Sequence, residues 1–200
     1  MKRTVIKGRV LEFDADTHEY IYDGVLLPSV TSVLDNSKYL GVNKSILKAS
    51  AEYGTMVHRL IEEYEVENTV PREIPIELRN YLFLKRVYGF KPMYNELPLV
   101  IWHNEEPVLA GTCDLVSTWL DYTCIEDYKV RASVDKEQTA LQLNLYKIGV
   151  EQSYGIKVDK LFVIQLKGTT RRRAELPVNK EYAQSVLIEK LKNERGIINE

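Results

Sequence analysis

The residues with the strongest claim to chemistry lie in "CIEDYKV", 124 to 130. Cys124, Ile125, Tyr128 and Val130 read as a buried strand, yet Glu126, Asp127 and Lys129 interrupt it. Charged side chains are seldom buried unless something pairs with them. The stretch before it, "PVLAGTCDLVSTWLDYT", reads as a second strand that carries Asp114. A two-residue turn at Leu120 and Asp121 places Asp114 directly across from Asp127. Directly opposed residues share a face, with Cβ atoms about 4.5–5.5 Å apart. The period of two puts Lys129 on that face and turns Glu126 and Tyr128 to the other. Two adjacent carboxylates repel unless a cation or a shared proton relieves them. Hard carboxylate oxygens suit magnesium or manganese. The pattern therefore predicts a divalent metal site with an ammonium group beside it.

These strands need a frame. Residues 10 to 22 alternate around "DADT" and predict a β-hairpin, continued through a turn at Asp23-Gly24. Pro28 follows, with Ser29 or Thr31 as helix N-cap candidates. Helical patterns cover 44–66, 76–88, 135–153 and 180–195, and strand patterns 96–102, 108–118, 123–130, 160–166 and 172–178. The expected fold class is a mixed α/β (α+β) domain, with a central mixed, twisted sheet flanked by helices. Its parts are a hairpin region (1–27), a helical region (28–95), a core (96–178) and a C-terminal helix (179–200).

Composition bounds the function. Two hundred residues suit one domain with a sizeable core. Two cysteines, Cys113 and Cys124, cannot form a disulfide framework, a four-cysteine zinc site or an iron–sulfur cluster by themselves. With no signal-peptide pattern and no apolar run long enough to span a membrane, the expected location is the cytoplasm. The net charge of -2 does not advertise nucleic-acid binding, so such a role must rest on a local site.

Four motifs add to this reading. "GTCDL", "IEDYKV" and "LQLNLY", preceded by "GTMVH", resemble the RecB-like branch of the PD-(D/E)XK nuclease superfamily. "LPSVTSVL" is similar to the "PSVT" segment of phage-encoded and mitochondrial genome-maintenance exonucleases of that branch. The resemblance spans about residues 18 to 165 and implies a restriction-endonuclease-like core. It implies that Asp114, Asp127 and His58, with the backbone carbonyl of Tyr128, bind one or two Mg²⁺ or Mn²⁺ ions. Lys129 becomes the catalytic lysine, and Glu96, at the start of the preceding strand, a further acid near the metal. Two cysteines do not meet the four that the iron–sulfur members need, so no cluster is expected. Arg131 stands where many members carry a Thr-Gly pair.

Gln142 and Tyr146 are four apart and share one helix face, while Leu141, Leu145 and Ile148 form a separate apolar stripe. This predicts a polar face whose amide and phenol hold substrate backbone or shape the metal site. Ser29, Thr31, Arg131 and the run Arg171, Arg172, Arg173 are further candidates for DNA contact. "HRLIE" lacks the second histidine of a zinc-protease helix. The expected activity is a metal-dependent DNA exonuclease. The alternatives are a structure-specific endonuclease and a non-catalytic module that binds nucleic acid or a partner protein. DNA ends are the expected partner, and a single-strand annealing or binding protein a second one.

Overall fold

The computed structural model describes residues 1–15, 17–34 and 43–195. Four short strands come first: β1 (Lys2–Ile6), β2 (Arg9–Asp14), β3 (Glu19–Tyr22) and β4 (Val25–Leu27). They pair in that order as an antiparallel sheet. Lys7-Gly8 and Asp23-Gly24 turn two of its corners, each with both residues at positive φ. Such mirror-image turns match the twist of the flanking strands. The second was legible in the sequence; the first, and β1 with it, was not. Of the "DADT" turn, Asp16 lies outside the described residues.

"LPSVTSVL" forms only a short 3₁₀ helix, Val30–Val33. Ser29 occupies its cap position without a side-chain cap bond; its hydroxyl pairs with that of Thr31 at 2.8 Å instead. Helices α1 (Lys44–Glu67) and α2 (Ile76–Tyr88) follow. Asn43 caps α1 by accepting from the Ser45 N–H, and Asn68 and Gly89 end the two helices in the left-handed conformation.

The second sheet holds β5 (Lys91–His103), β6 (Glu106–Trp119), β7 (Tyr122–Lys129), β8 (Lys160–Lys167) and β9 (Thr170–Leu176), in that order. Only β7 and β8 are parallel, joined through α3 (Lys136–Tyr154), and α4 (Lys180–Arg195) closes the described chain. The sheet is thus mixed and the fold is α+β. One core lies between the sheet and α3 with α4, through Val116, Ile125, Leu143, Leu145, Leu161 and Leu187. A second joins the opposite face, at Leu115, Tyr128 and Ile164, to Val57 and Ile61 of α1 and Leu78 and Tyr81 of α2. The N-terminal sheet packs on Val100 and Ala110. Among the described residues no helix is long and apolar enough to cross a membrane.

Helix α3 departs from its expected amphipathic pattern. It is enclosed by the sheet, α4 and the 3₁₀ helix, so Thr139, Gln142, Asn144, Tyr146 and Lys147 are buried along with Leu141, Leu143, Leu145 and Ile148. Each polar side chain then needs an internal partner. Asn144 donates to the carbonyls of Ala140 and Pro177 and accepts from the Asn179 N–H. Lys147 holds Glu151 at 2.5 Å and the Val158 carbonyl.

Candidate functional site

The site forms where β6 and β7 part. Their ladder runs from Trp119 opposite Tyr122 to Leu115 opposite Glu126, the register expected from a turn at Leu120 and Asp121. One step further on, the Asp114 carboxylate accepts the Tyr128 N–H at 2.7 Å. A side-chain oxygen thus satisfies a strand donor at the opening between the strands. On the other side of β6, Asn95 faces Leu115 and Leu97 faces Cys113, which brings Glu96 opposite Asp114. Glu96 has φ of 46°, an uncommon conformation for a residue with a side chain. Such strain gathers at functional sites.

His58, from α1, completes the group. Its Nε2 lies 3.1 Å from the Tyr128 carbonyl oxygen. A carbonyl can only accept, so Nε2 carries the hydrogen and Nδ1 holds the lone pair of the neutral ring. Nδ1 sits 3.6 Å from Asp114 Oδ2 and 3.9 Å from Glu96 Oε1. One atom from each of His58, Glu96 and Asp114 falls within 4.8 Å of the others. An imidazole oriented by a carbonyl, with two carboxylates, is a donor set that fits a divalent ion such as Mg²⁺ or Mn²⁺.

The electrostatics point the same way. Burial, reinforced by repulsion from Asp114 and Glu62, pushes Glu96 up from 4.5 to about 8. Burial also raises Asp114, with Asp127 adding to the effect and Lys129, together with His58 in its protonated form, opposing it. A carboxyl raised in this way favours its protonated form, so the folded protein loses stability as pH climbs from the ordinary carboxylate range through about 8. A bound cation reverses that cost and must displace the proton. We expect Mn²⁺ affinity to tighten by up to about tenfold per pH unit between pH 5 and 8, with proton release. Calorimetry in two buffers of different ionisation enthalpy measures both; a flat pH profile would contradict this account of Glu96.

Asp127 and Lys129 form the adjoining pair. Lys129 Nζ lies 2.8 Å from each Asp127 carboxylate oxygen, but only Oδ1 has hydrogen-bond geometry. Oδ2 is buried without a hydrogen-bond partner. Asp127 and the Tyr128 carbonyl, both expected as ligands, lie beside the three-residue group of His58, Glu96 and Asp114. The first faces Lys129, the second orients His58, and Glu96 joins Asp114 and His58 in the three-residue group. Lys2 of β1 adds to this neighbourhood unannounced by the sequence, pairing at 3.5 Å with Glu62, one turn after His58. No motif marks Lys2, because β1 itself carried no clear signal.

The remaining candidates divide. Gln142 and Tyr146 share one face as expected, but it is not open to substrate: both are buried, 7% and 5% exposed, because α3 is enclosed. Their direct contact with DNA is corrected accordingly. Arg173 is also buried, paired with Glu126 on the α1–α2 face, and cannot grip a phosphate. Arg171 shares that face and stacks on Phe83 of α2 at 3.8 Å. Only Arg172 of the run lies on the Lys129 face, through the register Lys129–Gln165–Arg172. Gln165 holds the carbonyls of Arg131 and Ala132 at 2.8 and 2.7 Å, fixing the loop after Lys129. Ser29 bridges to Ala110 in the middle of β6, and its hydroxyl is paired with that of Thr31.

No family model matches the chain, and no curated protein does. Among solved structures it is similar to the crystal structure of SSO0001, at 12% identity and a TM-score of 0.39. The match covers 57% of this chain and 56% of that one. Likeness at that level carries no argument about function.

Proposed function

We propose that this chain is a Mg²⁺- or Mn²⁺-dependent DNA exonuclease of the RecB-like branch of the PD-(D/E)XK superfamily. The observation that carries this reading is one imidazole nitrogen and two carboxylates within 4.8 Å, beside the Lys129 ammonium on a mixed sheet. His58, Glu96 and Asp114 would hold the ion, and Asp127 offers one further buried oxygen. When bound, the ion would lower the pKa of a water molecule and offset charge on a phosphate. Lys129 adds a fixed positive charge where negative charge develops on the phosphoryl oxygens. Arg172 lies two strands from Lys129 on the same face, about 10 Å across the sheet, and would meet a neighbouring phosphate.

The test is digestion of end-labelled single-stranded, blunt duplex and circular DNA with Mg²⁺ or Mn²⁺. Expected are mononucleotides or short products from linear substrates, and intact circles. Equal cutting of circles would make the enzyme an endonuclease. Asp114→Asn and His58→Ala should each lose activity together with Mn²⁺ affinity, the latter read by calorimetry. Unchanged affinity in both variants would remove the metal from this site.

A further inference from the structure

The polar contacts beneath Lys129 form a chain with only one consistent assignment. Lys129 Nζ donates to Gln142 Oε1 at 3.0 Å as well as to Asp127 at 2.8 Å. An ammonium group has no acceptor, so the Gln142 atom facing it must be the carbonyl oxygen. The amide nitrogen then points away, to Tyr146 Oη at 2.9 Å. The phenol oxygen receives that hydrogen bond and thereby fixes the amide's orientation. The Tyr146 ring is itself held: a Cβ placed on Gly111 of β6 would lie 3.1 Å from the ring and 3.1 Å from the Val30 side chain. Gly111 therefore allows the ring its close approach to the sheet.

Starting from these contacts, we propose that Gln142 and Tyr146 are positioning residues that aim the ammonium of Lys129, with Gly111 setting the depth of the Tyr146 ring. Asp127 and Gln142 take two of the three N–H bonds of Lys129. Tetrahedral geometry then fixes the direction of the third, the one left to meet substrate oxygen or water. A lysine on four freely rotating carbons otherwise samples many directions. Burial prevents Gln142 and Tyr146 from doing this by touching DNA. The inference rests on Lys129 working at the proposed nuclease site, but the geometry of the chain can be tested without cleavage.

Two measurements separate the possibilities. The first is the rate of covalent modification of the Lys129 amine by an amine-reactive reagent, read by mass spectrometry in the parent, Gln142→Ala and Tyr146→Phe. Release of the tether should speed modification at Lys129 severalfold in Gln142→Ala, and less in Tyr146→Phe, with other lysines unchanged. The second is kinetic. A hydrogen bond to a charged group predicts roughly a 10- to 100-fold loss of kcat in Gln142→Ala, with KM and Mn²⁺ affinity nearly constant. Gln142→Glu should recover much of the loss, because its carboxylate accepts from Lys129 and from the Tyr146 hydroxyl. Tyr146→Phe removes one oxygen and keeps the ring, so it should fold like the parent. Gly111→Val should crowd the ring and reproduce the Gln142→Ala phenotype. Unchanged Lys129 reactivity in both Gln142→Ala and Tyr146→Phe would overturn the proposal. So would a loss confined to KM or to metal affinity. Absence of DNA cleavage in the parent would defeat the nuclease reading, while the modification rates would still decide whether Gln142 and Tyr146 aim the lysine.

Discussion

Lys129→Met is expected to reduce DNA cleavage by about 10²- to 10³-fold, the loss seen when one preorganised electrostatic donor leaves an active site. Methionine keeps most of the aliphatic stem, so the comparison isolates the ammonium. Metal binding should survive, because an ammonium group cannot be a ligand. It should tighten slightly, since a positive charge 2.8 Å from Asp127 is removed. The substitution also strands Asp127, which is 2% exposed and has Lys129 as its ion-pair partner. An unpaired buried carboxylate destabilises the fold, so turnover must be measured per folded molecule. Single-turnover kinetics with a melting curve and Mn²⁺ calorimetry give the three numbers. Turnover within a few-fold of the parent, at saturating metal, would show that Lys129 plays no part in the chemistry. Lys129→Arg should not rescue, because a planar guanidinium cannot occupy the point between Asp127 and Gln142.

Much of this site could be read from the chain, and the reason lies in short range. The turn at Leu120 and Asp121, the period of two, and the opposition of Asp114 to the Asp127 region follow from one hairpin. Local pairing rules govern a hairpin whatever the rest of the fold does. Glu96 joins the group for a similar reason, as the β5 residue opposite Asp114 of β6. The structure departs from the sequence pattern where a third element decides the outcome. Gln142 and Tyr146 lie off the stripe of Leu141, Leu145 and Ile148, and a helix packed on one side would expose them. Helix α3 is packed on several sides, so Gln142 and Tyr146 turn inward to one another and to Lys129. Periodicity reports which residues share a face; it does not report how many faces are covered. The same limit explains "TRRRAEL". As a charge run it reads as a solvated surface, but as strand β9 it must alternate, and the middle arginine goes one way while its neighbours go the other.

That alternation gives the second large effect, at Arg173. Its guanidinium donates to both oxygens of Glu126, at 2.9 and 3.0 Å, and both side chains are almost wholly buried. Ser117 donates to the same carboxylate at 2.5 Å. The guanidinium lies over the Phe162 ring at 3.4 Å, with Trp119 at 4.9 Å and Phe90 at 5.2 Å. Removing one member of such a pair leaves the other charged and desolvated, at a cost of about 3–5 kcal/mol. For a chain of this length that is a fall of roughly 6–20 °C in Tm. Arg173→Ala and Glu126→Ala should each show it. The double replacement Glu126→Leu with Arg173→Met should cost less than either single change, because no charge is left unpaired. Arg173→Lys should rescue only in part, since one ammonium cannot reproduce the two-pronged contact or the stack on Phe162. DNA binding supplies the contrast. The salt dependence of binding should be unchanged in Arg173→Ala per folded molecule, and should weaken by about one phosphate contact in Arg172→Ala. An Arg173→Ala protein that melts with the parent but binds DNA less well would place that arginine on the surface, and the buried pair with Glu126 would be wrong.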